Sequence, residues 1–374
     1  MSSLLKDIYS KDFYDNFSET LREVVPSFNK EKFVQQIFDK NWDSRELKER
    51  MKHTSLVLNS VFPADFSKTV KLIEKIIESL RQRNIKETSI EFMFLPDYIE
   101  TYGIKDYDAS VKSMEFVTQF TSCEFAVRQF IIKYGEKMLQ QMQQWSLHDN
   151  HHVRRLASEG SRPRLPWAIA LPELKNNPAP ILPILENLKN DPSEYVRRSV
   201  SNNLNDISKD NPDIVISIAK KWKGQSKETD AIIKHASRTL LKQGSPVILE
   251  HFGFANNSKI VASKFNILTP KVKFGDTLEF SFSIQNTDKN ALNVRIEYGV
   301  HYLRSNGQHS KKVFKISERQ LKSAEKIDIY RKQSFKIITT RKFYVGQQKL
   351  SLIINGQEKI IEKFELTERQ KPSH

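Results

Sequence analysis

Between Trp145 and Gly253 the sequence repeats itself, and few folds can accommodate such a repeat. Placing Val153 over Val196 gives a period of 43 residues, and placing Val196 over Ile233 gives 37. Periods of ~40–47 residues belong to HEAT-type units, each a pair of helices that cannot bury its apolar face alone. Such units stack into a curved α-solenoid with a concave face. A basic pair follows the apolar anchor in the first two copies, Arg154-Arg155 and Arg197-Arg198, and Lys234-His235 takes its place in the third. In this register Glu159, Asn202 and Thr239 are equivalent, while Arg155, Arg198 and His235 form a second row. A row of cations on a concave face can follow a phosphate backbone.

The chain before the repeat is helical in pattern and the chain after it is not. Leu47, Met51, Leu56, Val57 and Val61 mark one amphipathic helix, and Val70, Leu72, Ile73, Ile76 and Ile77 a second. Short Asn, Asp and Pro breaks predict antiparallel neighbours through residues 1–120. Past Gly253 the period changes to two, with Leu278, Phe280, Phe282 and Ile284 on one face and Val294, Ile296, Tyr298, Val300 and Tyr302 on another. Asn306-Gly307 and Asn355-Gly356 are hairpin signals. The expected architecture is a multi-domain α-then-β chain: a HEAT-like α-solenoid over residues 1–254, then a small immunoglobulin-like β-sandwich of six or seven strands over 255–374.

The net charge of +15 is uneven, because residues 255–374 carry 23 basic against 11 acidic side chains and so hold +12 of it. A surface charged this way attracts nucleic acid or an anionic membrane, or simply aids solubility. No run of 18 apolar residues predicts a membrane span. The N-terminus is amphipathic and carries acids, unlike a secretory signal, and a lone Cys123 excludes an internal disulfide. These features predict a reducing, cytoplasmic setting. No Cys/His set has metal-ligand spacing, and neither a P-loop nor a G-x-G-x-x-G occurs, so no metal, nucleotide or redox cofactor is expected.

The chemistry concentrates in HHVRRLASEGSRPRLPW, His151 to Trp167. Val153, Leu156 and Ala157 have the spacing of one buried helical stripe, and Gly160 suits the position just past a helix end. Glu159 then falls in the last turn, where carbonyl dipoles make a carboxylate unfavourable by roughly 0.3–1 kcal/mol. Rule-breaking positions of this kind are enriched in functional sites. Around the acid stand Arg154, Arg155, Arg162 and Arg164, and Trp167 follows Pro166 at the expected start of the next helix. An acid, an indole and four guanidinium groups suit a polyanion that also holds something cationic.

This stretch, together with DPSEYVRRSVSNNLNDISKDNPD (Asp191 to Asp213) and IKHASRTLLKQG (Ile233 to Gly244), resembles the bacterial DNA alkylation repair glycosylases of the AlkC and AlkD type, and the AlkC branch most closely. The resemblance implies a HEAT solenoid followed by the β domain that AlkD-type proteins lack. It also implies a glycosylase that removes cationic bases, 3-methyladenine first, from alkylated duplex DNA, and because no lysine in the motif is placed as a Schiff-base nucleophile a monofunctional enzyme is expected. The expected partner is therefore double-stranded DNA, bound by a monomer. Glu159 and Trp167 fall on the family's catalytic glutamate and active-site tryptophan, and Glu124 on a second carboxylate. A carboxylate near the sugar stabilises the charge that develops there, and an indole face attracts a cationic base.

Each candidate also has a structural reading: Glu159 as an ion-pair partner of Arg155 or Arg162, and Trp167 as a core residue. Local sequence favours Glu124 as the acid of a capping box begun by Thr121. Arg154, Arg162, Arg164, Arg198, His235, Arg238 and Lys242 are candidate phosphate contacts, and Asn202 either bonds DNA or braces the next repeat. A HEAT scaffold that binds DNA or an acidic protein without catalysis is the alternative function.

Overall fold

A computed structural model describes residues 4–254, 259–337 and 342–368. Among these the chain forms sixteen α-helices followed by eight strands. The helices are α1 (Lys11–Val24), α2 (Lys30–Ile37), α3 (Leu47–Asn59), α4 (Phe66–Gln82), α5 (Phe94–Gly103), α6 (Tyr107–Val117), α7 (Ala126–Tyr134), α8 (Glu136–Trp145), α9 (His151–Gly160), α10 (Pro172–Asn176), α11 (Leu182–Leu188), α12 (Glu194–Ile207), α13 (Pro212–Trp222), α14 (Lys227–Ala236), α15 (Arg238–Gln243) and α16 (Pro246–His251). They are followed by β1 (Ile260–Ile267), β2 (Lys271–Lys273), β3 (Thr277–Asn286), β4 (Leu292–Leu303), β5 (His309–Leu321), β6 (Lys326–Ser334), β7 (Gly346–Ile354) and β8 (Gln357–Thr367). The chain divides into two compact units, Met1–Val215 with Lys221–Ala236, and Ile216–Lys220 with Ser237–His374. No helix among the described residues is long and apolar enough to cross a membrane.

In the first unit each helix buries one stripe. The Asp65 carboxylate caps α4 by accepting from the backbone N–H of Ser67 and Lys68, and Val70, Ile73, Ile76, Ile77 and Leu80 are its buried face. The Asn150 side chain caps α9 in the same way at His152, and such a cap stabilises a helix by about 1 kcal/mol. Helix α9 packs on α8 and α12 packs on α11, the paired units that the repeat predicts, and α9, α12 and α14 pack in succession. The third copy departs from the expected register. Helix α14 stops at Ala236 and α15 begins at Arg238, so Thr239 is not carried by the helix equivalent to those of Glu159 and Asn202.

Gly160 is the last residue of α9, not one beyond it, and a different constraint accounts for it. A Cβ there would lie 2.5 Å from Val127 Cγ1, so the glycine lets α9 approach α7. That approach brings the end of one helix beside the start of the other.

In the second unit, sheets of order β1-β3-β6 and β2-β8-β7-β4-β5 enclose one apolar core. There are eight strands where six or seven were expected, the short β2 pairing in parallel with β8. Both hairpins fall where the Asn-Gly pairs predict them. Asn355 and Gly356 have φ of 46° and 77°, the two positive values that a type I′ turn requires. Gly356 also meets Gly244, whose Cα would lie 2.9 Å from a Cβ at position 356. The loop between α15 and α16 thus rests on this hairpin.

Candidate active site

Glu159, one residue before the end of α9, is buried, only 5% exposed. Arg162 donates from Nη1 to Glu159 Oε1 at 2.6 Å, and Arg155 Nη2 lies 3.8 Å from the same oxygen. Oε2 has no hydrogen-bond partner among the described residues. Arg162 also donates from Nε to Asp206 Oδ2 at 2.8 Å, and Lys209 Nζ lies 2.9 Å from Asp206 Oδ1. Burial disfavours the Arg162 charge, but Glu159 and Asp206 outweigh it and hold the guanidinium above its ordinary range. The ion-pair reading of Glu159 is therefore present in the structure, though in a buried network and not at the surface.

Glu124 lies just before α7. Its Oε2 accepts from Arg155 Nη1 at 2.7 Å and from Ser122 Oγ at 2.9 Å. The capping box expected from local sequence does not form: the Thr121 N–H donates to Val117 O, and Glu124 turns toward α9. Arg155 is thus shared by the two carboxylates, and its guanidinium also stacks over the Tyr195 ring at 4.3 Å. Burial works against this cation as well, yet Glu124 and Glu159 together keep it above its ordinary range.

A pocket of about 200 Å³ opens beside this bridge, with Glu124, Arg155, Tyr195, His152, Ser122 and Thr88 among its lining. Thr88 has φ 67°, a conformation that a β-branched residue rarely holds, and its N–H donates to Phe120 O at 2.8 Å. His152 lies 3.3 Å from Glu87 Oε2; burial, and then its neighbour His151, hold its pKa below the ordinary value.

Trp167 does not start a helix. It stands in a turn five residues before α10, with φ 64° and 64% of its surface exposed, so the core reading fails too. Its backbone carbonyl accepts from Lys48 Nζ at 2.8 Å. Trp167, Phe125, Ile90 and Met93 line a narrow cleft, and Ile90 and Met93 also line the pocket beside Glu124. Glu124, Glu159 and Trp167, up to 43 residues apart in sequence, are in this way tied into one region through Arg155 and this shared wall.

The other candidates lie outside this cluster. Arg154 forks onto Asp191 (Nε–Oδ2 2.5 Å, Nη2–Oδ1 3.0 Å) and gives Nη1 to the carbonyls of His148 and Asp149, which joins two repeats. Arg164 forks onto Asp210 at 2.9 and 2.6 Å. Arg198 and His235 line a groove of about 470 Å³ between α12 and α14 with Arg197 and Lys227. Asn202 Oδ1 faces His235 Nε2 at 3.1 Å, which is the bracing role. Arg238 opens α15 and Lys242 lies in its last turn, both in the second unit. Sequence reading singled out neither Tyr195 nor Lys48, and took Arg155 as one of a row and as a possible partner of Glu159, not as a bridge to Glu124. No group of three potential metal ligands occurs among the described residues.

The sequence matches two family profiles. One, described as DNA alkylation repair enzyme, covers residues 107–240. The other, described as the C-terminal Ig-like domain of the uncharacterised protein YhaZ, covers residues 261–368. YhaZ of Bacillus subtilis (strain 168) is 41% identical over 355 residues, which span 95% of this chain and 97% of YhaZ. Among solved structures, the alkylpurine DNA glycosylase AlkC of Pseudomonas fluorescens, bound to DNA containing an abasic site analog, superposes with a TM-score of 0.91 at 33% identity. That match covers 97% of this chain and 99% of the other.

Proposed function

This chain belongs to the AlkC branch of the bacterial DNA alkylation repair enzymes, and from that premise we propose that it is a monofunctional glycosylase for cationic N3-alkylated bases, 3-methyladenine foremost, in duplex DNA. The observation that carries the reading is the pair of carboxylates, Glu124 and Glu159, held by one half-buried guanidinium, with an exposed indole on a cleft that shares a wall with their pocket. Arg155 and Arg162 fix the acids, and Glu159 Oε2 keeps an oxygen for substrate.

Alkylation has already made the base a cation, so it leaves without being protonated. The C1′–N bond breaks, its electron pair passes to the ring nitrogen, and the base departs neutral. Positive charge then falls on the sugar, where Glu159 stabilises it; a fixed charge is worth most when no reorganisation is needed. Water adds to C1′ and its proton passes to the same carboxylate, which leaves an abasic site. Trp167 lies against the sugar or the cationic base, an interaction worth about 0.5–2 kcal/mol, and Glu124 assists.

Residues 1–254 are the glycosylase domain in this reading, and residues 255–374 a basic clamp on the duplex. Arg198, His235 and Lys227 in the groove of the first unit are suited to phosphates. The protein works as a monomer on nucleoid DNA in the cytoplasm, with no cofactor. A base-release assay over methylated duplexes tests the reading: free 3-methyladenine is expected, and DNA binding without any release would leave a non-catalytic scaffold.

A further inference from the structure

Trp167 is a bulky aromatic at positive φ in a segment without regular structure, a conformation that costs an L-residue roughly 1–2 kcal/mol. The chain therefore supplies contacts that hold it there. Two cations from distant parts of the sequence do this, and both do so through backbone carbonyls and not through hydrogen bonds to Glu124 or Glu159.

Arg128, in the first turn of α7, is fully buried. Its Nε donates to Ile169 O at 2.6 Å, and its Nη1 donates to Gly160 O at 2.9 Å and Arg162 O at 2.8 Å. All of these acceptors are backbone carbonyls of one segment, at the points where it leaves α9 and where it passes Trp167. Burial, followed by the charge of Arg162, lowers the guanidinium to about 10, which leaves it ionised at neutral pH. A burying site would not keep such a cation merely to fill space, since several kcal/mol of desolvation per ion must be offset. Lys48, on α3, holds the segment from the other side: Nζ donates to Trp167 O at 2.8 Å and lies 4.9 Å over the Phe125 ring.

We propose that Arg128 and Lys48 are positioning residues that clamp residues 160–169 between α7 and α3, and so fix Trp167 and Glu159 against Glu124. Arg128 sits four residues after Glu124 on the chain, so the start of α7, which directly follows one acid, also registers the segment that directly follows the other. The inference rests on the proposed glycosylase reading for its effect on rate, and on geometry alone for its effect on the indole.

The test uses the full chain carrying Arg128→Lys, Arg128→Gln or Lys48→Met, with two readouts. The first is the Trp167 fluorescence component, isolated by difference from a Trp167→Phe chain. Trp42, Trp145 and Trp222 are buried, at 6%, 1% and 1% exposure, so collisional quenching reports mainly on Trp167. Each variant is expected to raise quenching and lower the anisotropy of that component, with circular dichroism unchanged. The second readout is single-turnover base release set against affinity for an abasic-analogue duplex. Arg128→Gln is expected to slow release about 100-fold, the effect of an ångström-scale misplacement, and Lys48→Met about tenfold, with affinity held within about threefold. Arg128→Lys should recover part of the loss. Should the Arg128 variants fail to fold, Lys48→Met, a change at an exposed side chain, decides alone. Unchanged Trp167 fluorescence in every folded variant overturns the clamp, as does a rate loss that only follows lost affinity. A parent chain that releases no base, with the fluorescence changes still present, refutes the glycosylase reading and leaves the clamp intact.

Discussion

Arg162 donates to Glu159 Oε1 at 2.6 Å, three residues along the chain, and both side chains are buried. A surface pair at this spacing contributes a few tenths of a kcal/mol, but loss of a buried partner costs more because the remaining charge is poorly solvated. Arg162→Met takes from Glu159 and Asp206 the guanidinium they share, leaving Arg155 at 3.8 Å from the first and Lys209 at 2.9 Å from the second, and is expected to destabilise the first unit by up to about 3–5 kcal/mol. Urea unfolding followed by circular dichroism measures this. A cost under about 1 kcal/mol would mean that the network is open to water.

Glu124 and Glu159 share Arg155 but are not equivalent. Glu124 Oε2 is occupied by Arg155 and Ser122, whereas Glu159 keeps Oε2 unpaired. Glu124→Gln is therefore expected to slow base release by about tenfold to 100-fold, less than Glu159→Gln, because it disturbs a supporting charge. Single-turnover rates on one methylated duplex rank the two. The reverse order would exchange their roles.

The fold was largely legible in the sequence because its signals are local. Val153 and Val196 announce the repeat, Leu278 to Ile284 announce the strands, and Asn355-Gly356 fixes a turn by backbone sterics alone. Glu159 and Trp167 stood out because one short motif carries both. What was missed depends on contacts between distant residues: Lys48 reaches Trp167 across 119 positions, and Arg155 meets Glu124 across 31. Glu124 shows the cost of local reading, since Thr121-Ser122-Cys123-Glu124 satisfies a capping pattern that the Arg155 guanidinium outcompetes. Trp167 was misplaced for a related reason: Pro166 favours a helix start, but the carbonyl bonds from Arg128 and Lys48 hold the segment in a turn.

Glu100, half-buried on α5, has its carboxyl raised from 4.5 to about 7, first by desolvation and then by the Asp97 charge. The folded state thus keeps a proton that the unfolded chain releases. Its contribution is complete below about pH 4.5 and is lost as pH rises through about 7. Glu100→Gln removes this loss, so its urea midpoint should exceed the parent's by more at about pH 8 than at about pH 4. An equal difference at both would mean that the carboxyl is solvated.

Lys312, Lys315 and Arg319 are exposed on β5, at one edge of the five-stranded sheet. If this unit clamps DNA along that edge, replacing all of them with Gln weakens duplex binding and lowers the slope of log affinity against log salt by up to about 0.9 per lost phosphate contact. An unchanged slope would place the duplex elsewhere.

The most direct measurement is release of free base from a duplex bearing a single N3-methyladenine, compared between the parent chain and Glu159→Gln, with binding to an abasic-analogue duplex measured on both. The account predicts release by the parent, a fall of about 100- to 1,000-fold in the variant, and nearly equal binding. Equal release by the two chains would contradict it, because the Glu159 carboxylate would then take no part in breaking the bond.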